Sequence, residues 1–254
     1  MKILAGLAAA ARERAISLPR GPHPQAPSLV KAFASPGILA EIKPASPSEG
    51  AMRRVPDATA LARALLDAGA AGVSALTEPT LFNGSERLLV DAVRAGGPVL
   101  MKDFVVTARQ LDLAQGAGAS AVLLILPLLS REHSEWGTPE EAIAAAHARG
   151  LEVLLEVYDD EEYLLAGLLD ADLVGVNNRD LRDDSLPVDP ERTVGILGRC
   201  GRLDVPVLAL SGAKSAADVR EQVSAGARGV LVGTTLMRAE DPAAKLKELL
   251  GGLS

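Results

Sequence analysis

Eight short runs of β-type residues recur along the chain, each followed by a helical segment. This alternation constrains the fold more than any other feature of the sequence. The runs are GILAEIK (37–43), GVSALT (72–77), PVLMKD (98–103), AVLLIL (121–126), EVLLEV (152–157), LVGVNN (173–178), PVLALS (206–211) and GVLVGT (229–234). Each is rich in Val, Leu and Ile without clear polar alternation, as parallel strands covered on their faces are. Helices are expected over about 58–68, 85–95, 107–116, 139–149, 160–168, 190–198, 216–225 and 242–250. Thr138-Pro139, Asp189-Pro190 and Asp241-Pro242 each read as an N-cap followed by proline at the first helical position. LDAGAAGV, AQGAGASAV and SAGARGVLV place glycine where a helix ends ahead of the next strand.

Eight βα units predict a (β/α)8 TIM barrel. Residues 1–254 are read as a single domain, with the barrel over 37–254 and an N-terminal helical extension over 1–36. A doubly wound open sheet would carry a Gly-rich turn after its first strand, and KPASPSEG stands there instead. GAGASA (116–121) imitates a dinucleotide turn but lies between a helix and a strand, the wrong order. The extension starts as MKILAGLAAAARERAISLPR, whose apolar stretch is short and broken by Arg12, Glu13 and Arg14. It reads as a surface helix rather than a signal peptide. With the Pro-rich connection PRGPHPQAP it is expected to cover the bottom of the barrel.

The 254 residues suffice for one such core. Lys and Arg total 26 against 33 Asp and Glu, a net charge of −7, which disfavours nucleic acid and anionic membrane as partners. Aromatics are only 2%, which disfavours base-stacking platforms too. No apolar run approaches the roughly 20 residues that span a bilayer. The single cysteine, Cys200, suits a reducing cytoplasm. The expectation is a cytoplasmic protein, a monomer or weak homodimer, acting on a small molecule.

In a β/α barrel, chemistry sits at the C-terminal ends of the strands. There the first run carries Glu41 and Lys43, two apart and on one face. The third carries Lys102 and Asp103, the fifth Glu156, the sixth Asn177, Asn178 and Arg179, and the seventh Ser211. Any one of these could cap a barrel layer. Two lysines and two glutamates amid apolar runs are harder to explain structurally, because buried charge is costly unless paired. His23, His133 and His147 fall in loops or helices, so acid–base work is left to Lys and Glu. A lysine enclosed beside another cation titrates nearer neutrality and can donate a proton. The last two βα turns, Ser211-Gly212 and Gly233-Thr234-Thr235, are small enough for backbone N–H groups to approach a phosphate, with Ser46 adding a hydroxyl. H-E-x-x-H, C-x-x-C, Walker A and G-x-S-x-G are all missing, so neither a metal nor a cofactor is indicated.

ILAEIKPASPSEG (38–50), VSALTEPTLFNGS (73–85), VLMKDFVV (99–106), LEVLLEVYDDEE (151–162), VGVNNRDL (174–181) and VLVGTTLMRAEDP (230–242) resemble indole-3-glycerol phosphate synthase, in order and across most of 38–250. The resemblance implies a (β/α)8 barrel with an extra N-terminal helix. It implies conversion of 1-(2-carboxyphenylamino)-1-deoxyribulose 5-phosphate to indole-3-glycerol phosphate, CO2 and water in tryptophan biosynthesis, without cofactor or metal. Carried over, it implies Lys102 as general acid toward the carbonyl, and Lys43 as holder of the anthranilate carboxylate and an aid to proton transfer. Glu156 and Glu41 share proton transfer in dehydration and the orientation of the lysines. Asn177 and Arg179 contact substrate. Ser46, Ser211, Gly212, Gly233 and Thr234 surround the phosphate, and Phe82 and Phe104 wall the aromatic ring.

The chain departs from the family pattern in three places. Leu210 stands where E-S-G is usual, Pro44 and Ala45 where basic residues follow the lysine, and Tyr158 where E-V-H has histidine. The first two keep other readings in view: a slow or non-catalytic phosphate-binding paralogue, or another phosphosugar barrel enzyme.

Overall fold

The computed structural model describes residues 2–14 and 26–253. Eight parallel strands close into a barrel: β1 (Gly37–Ile42), β4 (Gly72–Leu76), β5 (Val99–Lys102), β6 (Ala121–Ile125), β7 (Glu152–Val157), β8 (Leu173–Asn177), β9 (Val207–Leu210) and β10 (Gly229–Val232). Strand β10 returns to β1 with Gly37 opposite Gly229 and Ala40 opposite Val232. A short hairpin, β2 (Ala45–Ser46) and β3 (Gly50–Ala51), follows β1. All eight expected strands are present within a residue or two of their expected limits.

The absence of polar alternation has a direct cause. Alternate residues of each strand enter two different apolar bodies. Ile38, Ala40, Val99, Met101, Val153, Leu155, Val174 and Val176 pack outward among the helices. Leu39, Leu100, Leu123, Leu154, Leu173, Leu208 and Leu231 pack inward along the barrel axis. The two-residue period therefore aims Glu41, Lys102, Glu156, Asn177 and Leu210 inward at the C-terminal end.

The surrounding helices are α3 (Ala58–Asp67), α4 (Glu86–Val93), α5 (Ala108–Ala117), α6 (Pro139–His147), α7 (Asp160–Ala166), α8 (Arg192–Cys200), α9 (Ala216–Ala225) and α11 (Pro242–Leu250). A short extra helix, α10 (Thr234–Arg238), follows β10. The hydroxyl of Thr138 accepts from Glu141 N, and the Asp241 carboxylate accepts from Ala243 N and Ala244 N, so these two proline-led starts are as expected. Asp189-Pro190 differs. The Asp189 carboxylate accepts from Glu191 N in a turn, and the helix begins only at Arg192. Gly118 ends α5 in the left-handed region (φ 83°), a conformation that costs glycine little.

The N-terminal extension covers both ends of the barrel. Helix α1 (Lys2–Glu13) presents Leu4, Leu7, Ala8 and Ala11 at helical spacing to the same apolar body that contains Phe104, Leu128 and Leu181. Beyond it, the Arg14 guanidinium donates to Asp103 at 2.7 Å and to the Thr77 carbonyl at 3.2 Å. These partners lie on the C-terminal side, so α1 covers the mouth and not the bottom as the sequence led us to expect. The bottom is plugged instead by α2 (Leu29–Ala32) and Phe33. The Glu152 carboxylate accepts from Ser28 Oγ at 2.5 Å, Leu29 N at 2.7 Å and Val30 N at 3.0 Å. The Pro-rich connection, with His23, lies largely outside the described residues.

Candidate active site

At the mouth, side chains from the separate strand ends converge on one cavity. It is lined by Glu41, Lys43, Ser46, Phe82, Lys102, Asn177, Arg179 and Ser211, together with Pro47, Ser48, Leu181 and Leu186. Eight of the thirteen expected site residues therefore share one space. The other five, Glu156, Phe104, Gly212, Gly233 and Thr234, stand behind or beside it.

Lys43 Nζ sits 2.8 Å from Glu41 Oε2. Burial alone would raise the Glu41 carboxyl, but Lys43, Lys102 and Arg179 outweigh it and hold the group below the ordinary carboxylate value. Glu41 is therefore an anion. It also explains Gly233. A Cβ there would run into the Glu41 carboxylate, so only glycine leaves room for it. Gly233 ends β10 and precedes α10, whose first residue is Thr234.

Glu156 is fully buried behind Lys102, with Oε2 4.0 Å from Lys102 Nζ. Its Oε1 accepts from the Tyr158 hydroxyl and from Asn177 Nδ2 at 3.0 Å. Its Oε2 has no hydrogen-bond partner among the described residues. Asn177 is fixed in turn, its Oδ1 accepting from Arg179 N at 3.0 Å. The neighbouring Asn178 faces away. It donates to the Ser211 carbonyl at 3.1 Å and accepts from Thr193. Ser211 itself sits at φ 67°, an uncommon angle for a non-glycine residue, where the chain turns at the end of β9.

Ser46 lies on the β2–β3 hairpin, buried and, among the described residues, with no partner for its hydroxyl. Such an orphan facing a cavity marks a place for a ligand acceptor. Phe82 reaches the cavity from the loop after β4, and its ring lies 6.2 Å from that of Phe104, tilted by 38°. The sequence reading passed over what shapes this loop. The buried Glu78 carboxylate accepts from Thr80 N, Leu81 N and Phe82 N at 2.7, 2.7 and 3.1 Å. Asp103 serves similarly, accepting from Arg14, Thr77 Oγ1 and Phe104 N. Each carboxylate thus accepts three protein donors and serves to hold its loop.

Leu210 is fully buried and packs on Gly175, where an added Cβ would come within 2.6 Å of Leu210 Cδ1. It fills the barrel layer with hydrocarbon and offers no acceptor of its own at the end of β9. His133 and His147 lie apart from the cavity, His147 paired with Asp172 at 2.8 Å. Among the described residues no group of three or more His, Cys, Asp or Glu side chains could hold a metal ion.

Fold and site together define a (β/α)8 barrel whose mouth concentrates two lysine–carboxylate pairs around one polar cavity. Comparison with known sequences narrows the class. The indole-3-glycerol phosphate synthase family matches residues 11–249, and the chain belongs to that family. The indole-3-glycerol phosphate synthase of Methanopyrus kandleri is 42% identical over 88% of this chain and 87% of its own length. That of Exiguobacterium sibiricum is 41% identical over 81% and 77%. A multifunctional tryptophan biosynthesis protein of Phanerodontia chrysosporium is 38% identical over 87% of this chain but 28% of its own. Among solved structures, a thiamine phosphate pyrophosphorylase from Pyrococcus furiosus superposes with a TM-score of 0.60 at 21% identity, over 85% of this chain and 95% of that one. That likeness concerns the barrel alone.

Proposed function

We propose that this chain closes the pyrrole ring of 1-(2-carboxyphenylamino)-1-deoxyribulose 5-phosphate, releasing CO2 and water to give indole-3-glycerol phosphate in tryptophan biosynthesis. Membership of the family supports the reaction. The observation that carries it to this chain is the pair of lysines, each beside a buried carboxylate, on one cavity.

In this reading Lys43 holds the substrate carboxylate, displacing part of its contact with Glu41. Lys102 gives a proton to the ketose carbonyl oxygen as the aromatic carbon bearing the carboxylate attacks the carbonyl carbon. Loss of CO2 returns the electron pair to the ring. The new hydroxyl then leaves as water with a proton from Lys43, while Glu156 Oε2 takes a proton from the methylene carbon beside the ring nitrogen, and the new C=C bond completes the indole. Glu41 stays ionised and orients both lysines. The phosphate lies against Ser46, Ser211, Gly212, Gly233 and Thr234, where the orphaned Ser46 hydroxyl donates to it. Phe82 and Phe104 flank the aromatic ring, and Asn177 and Arg179 contact the sugar.

The test is direct. Purified protein mixed with the anilino-deoxyribulose phosphate should develop indole fluorescence, against a background of the single Trp136. The product mass should be lower by one CO2 and one water. Substrate consumed without indole would favour another phosphosugar reaction, and no consumption would favour a binding paralogue.

A further inference from the structure

We propose that Tyr158 is a positioning residue for the reaction: its hydroxyl, with Asn177, ties down one oxygen of Glu156 so that the other alone faces Lys102 and the substrate. The inference rests on the reading of Glu156 as a proton-transfer group.

The geometry begins in the strand period. Glu156 and Tyr158 are two apart at the end of β7, so both point into the barrel. The phenol donates to Glu156 Oε1 from a fully buried position. Asn177 Nδ2 donates to the same oxygen at 3.0 Å, while Oε2 has no hydrogen-bond partner among the described residues and looks toward Lys102 Nζ at 4.0 Å. One oxygen is thus saturated and the other is free for chemistry. Burial and the Glu156 charge push the phenol well above its ordinary value, with Glu162 and Asp180 adding to the effect. It therefore stays a donor at any working pH.

Tyr158 is itself held. The Arg182 guanidinium lies 5.0 Å above its ring. Arg182 is anchored by Asp159, Glu162 and Asp180, and Tyr158 N donates to Glu162 Oε2 at 2.8 Å. The charged groups facing the Glu156–Tyr158 pair are Lys102 from β5, Glu162 from α7, and Asp180 and Arg182 from the loop after β8. A donor to an ionised carboxylate favours the anion, so removing it leaves the charged form less well held. If Glu156 accepts a proton, the acid limb of kcat then moves to higher pH.

The experiment compares wild type, Tyr158→Phe, Tyr158→His and Glu156→Gln by steady-state indole formation across pH, beside melting temperatures. Tyr158→Phe should lose about tenfold in kcat, the order expected for one bond to a charged group. Its KM should stay within about twofold and its acid limb should rise by roughly one unit. Tyr158→His, which keeps a donor, should restore part of both. A Tyr158→Phe enzyme with wild-type kcat and an unmoved limb overturns the proposal. So does a loss of rate with an unmoved limb, or a histidine variant no better than phenylalanine. Glu156→Gln separates the two levels. Near-wild-type activity in that variant refutes the role of Glu156 and the positioning with it, whereas an inactive Glu156→Gln beside an unaffected Tyr158→Phe refutes the positioning alone.

Discussion

Gly233 shows how one missing methyl group organises the mouth. Its position in the final βα turn reads from sequence as a phosphate contact, and that remains its proposed role. The structure adds a second demand, because a Cβ at this point would occupy the Glu41 carboxylate. Gly233→Ala should therefore lower kcat as well as weaken substrate binding, since Glu41 must swing away from Lys43. Steady-state kinetics check this, and an effect confined to KM would show that Glu41 is not displaced. Leu210 makes the opposite case. It is buried against Gly175, with Leu154 alongside. Leu210→Glu would bury a carboxylate among hydrocarbon, at a cost of roughly 1–3 kcal/mol or more. The expected reading is a melting temperature lower by at least about 2–4 °C. An unchanged melting temperature would mean that the site supplies the new carboxylate with a partner.

At the scale of elements, strands and most helices were legible because period and caps agree. The inward–outward split of Val, Leu and Ile left eight compact apolar runs, and glycine or proline marked their limits. Asp189-Pro190 misled because Asp189 caps a turn instead of a helix, and sequence alone does not separate the two. Helix α10 is only five residues long and gives too little periodicity to see. The extension was misplaced for a different reason. Its apolar stripe shows that α1 docks, but the place is set by Arg14 meeting Asp103 across 89 positions of sequence. In the site, the strand-end residues were visible by position. The connections among them were not, although Tyr158 stood two residues from Glu156 on the same face. Glu78 was invisible in its role, since a carboxylate that folds a loop looks like any surface acid. The two barrel ends also differ in what they do. Glu152→Ala removes three hydrogen bonds from the bottom plug and should cost about 1–3 kcal/mol. Thermal melting should register that loss while kcat stays near wild type, and a large fall in kcat would show that the bottom plug shapes the mouth.

For the whole molecule, stability and activity meet in the charges buried at the mouth. Glu41 is held below its ordinary value of 4.5, so it binds protons more weakly folded than unfolded. Its pairing therefore stabilises the fold fully above that value, and the contribution disappears as pH falls through the lower folded value. Asp159 and Asp180, although raised by burial, are likewise held below 3.8 by bonds that include Arg182, and they act in the same direction. The difference in melting temperature between wild type and Glu41→Gln should thus shrink as pH falls below about 4.5. A difference that persists unchanged into acid would contradict the linkage.

The barrel as a whole serves to bring Lys102, Lys43, Glu41 and Glu156 from three strands to one cavity, and the central claim is that these groups carry out the ring closure. The most direct test is the rate of indole formation by wild type and Lys102→Ala at equal protein concentration, with melting temperatures measured alongside. We predict turnover by wild type and a loss of roughly 10²–10⁴ in kcat for the variant, with the fold intact. Indole formation by Lys102→Ala within a few-fold of wild type would contradict the account.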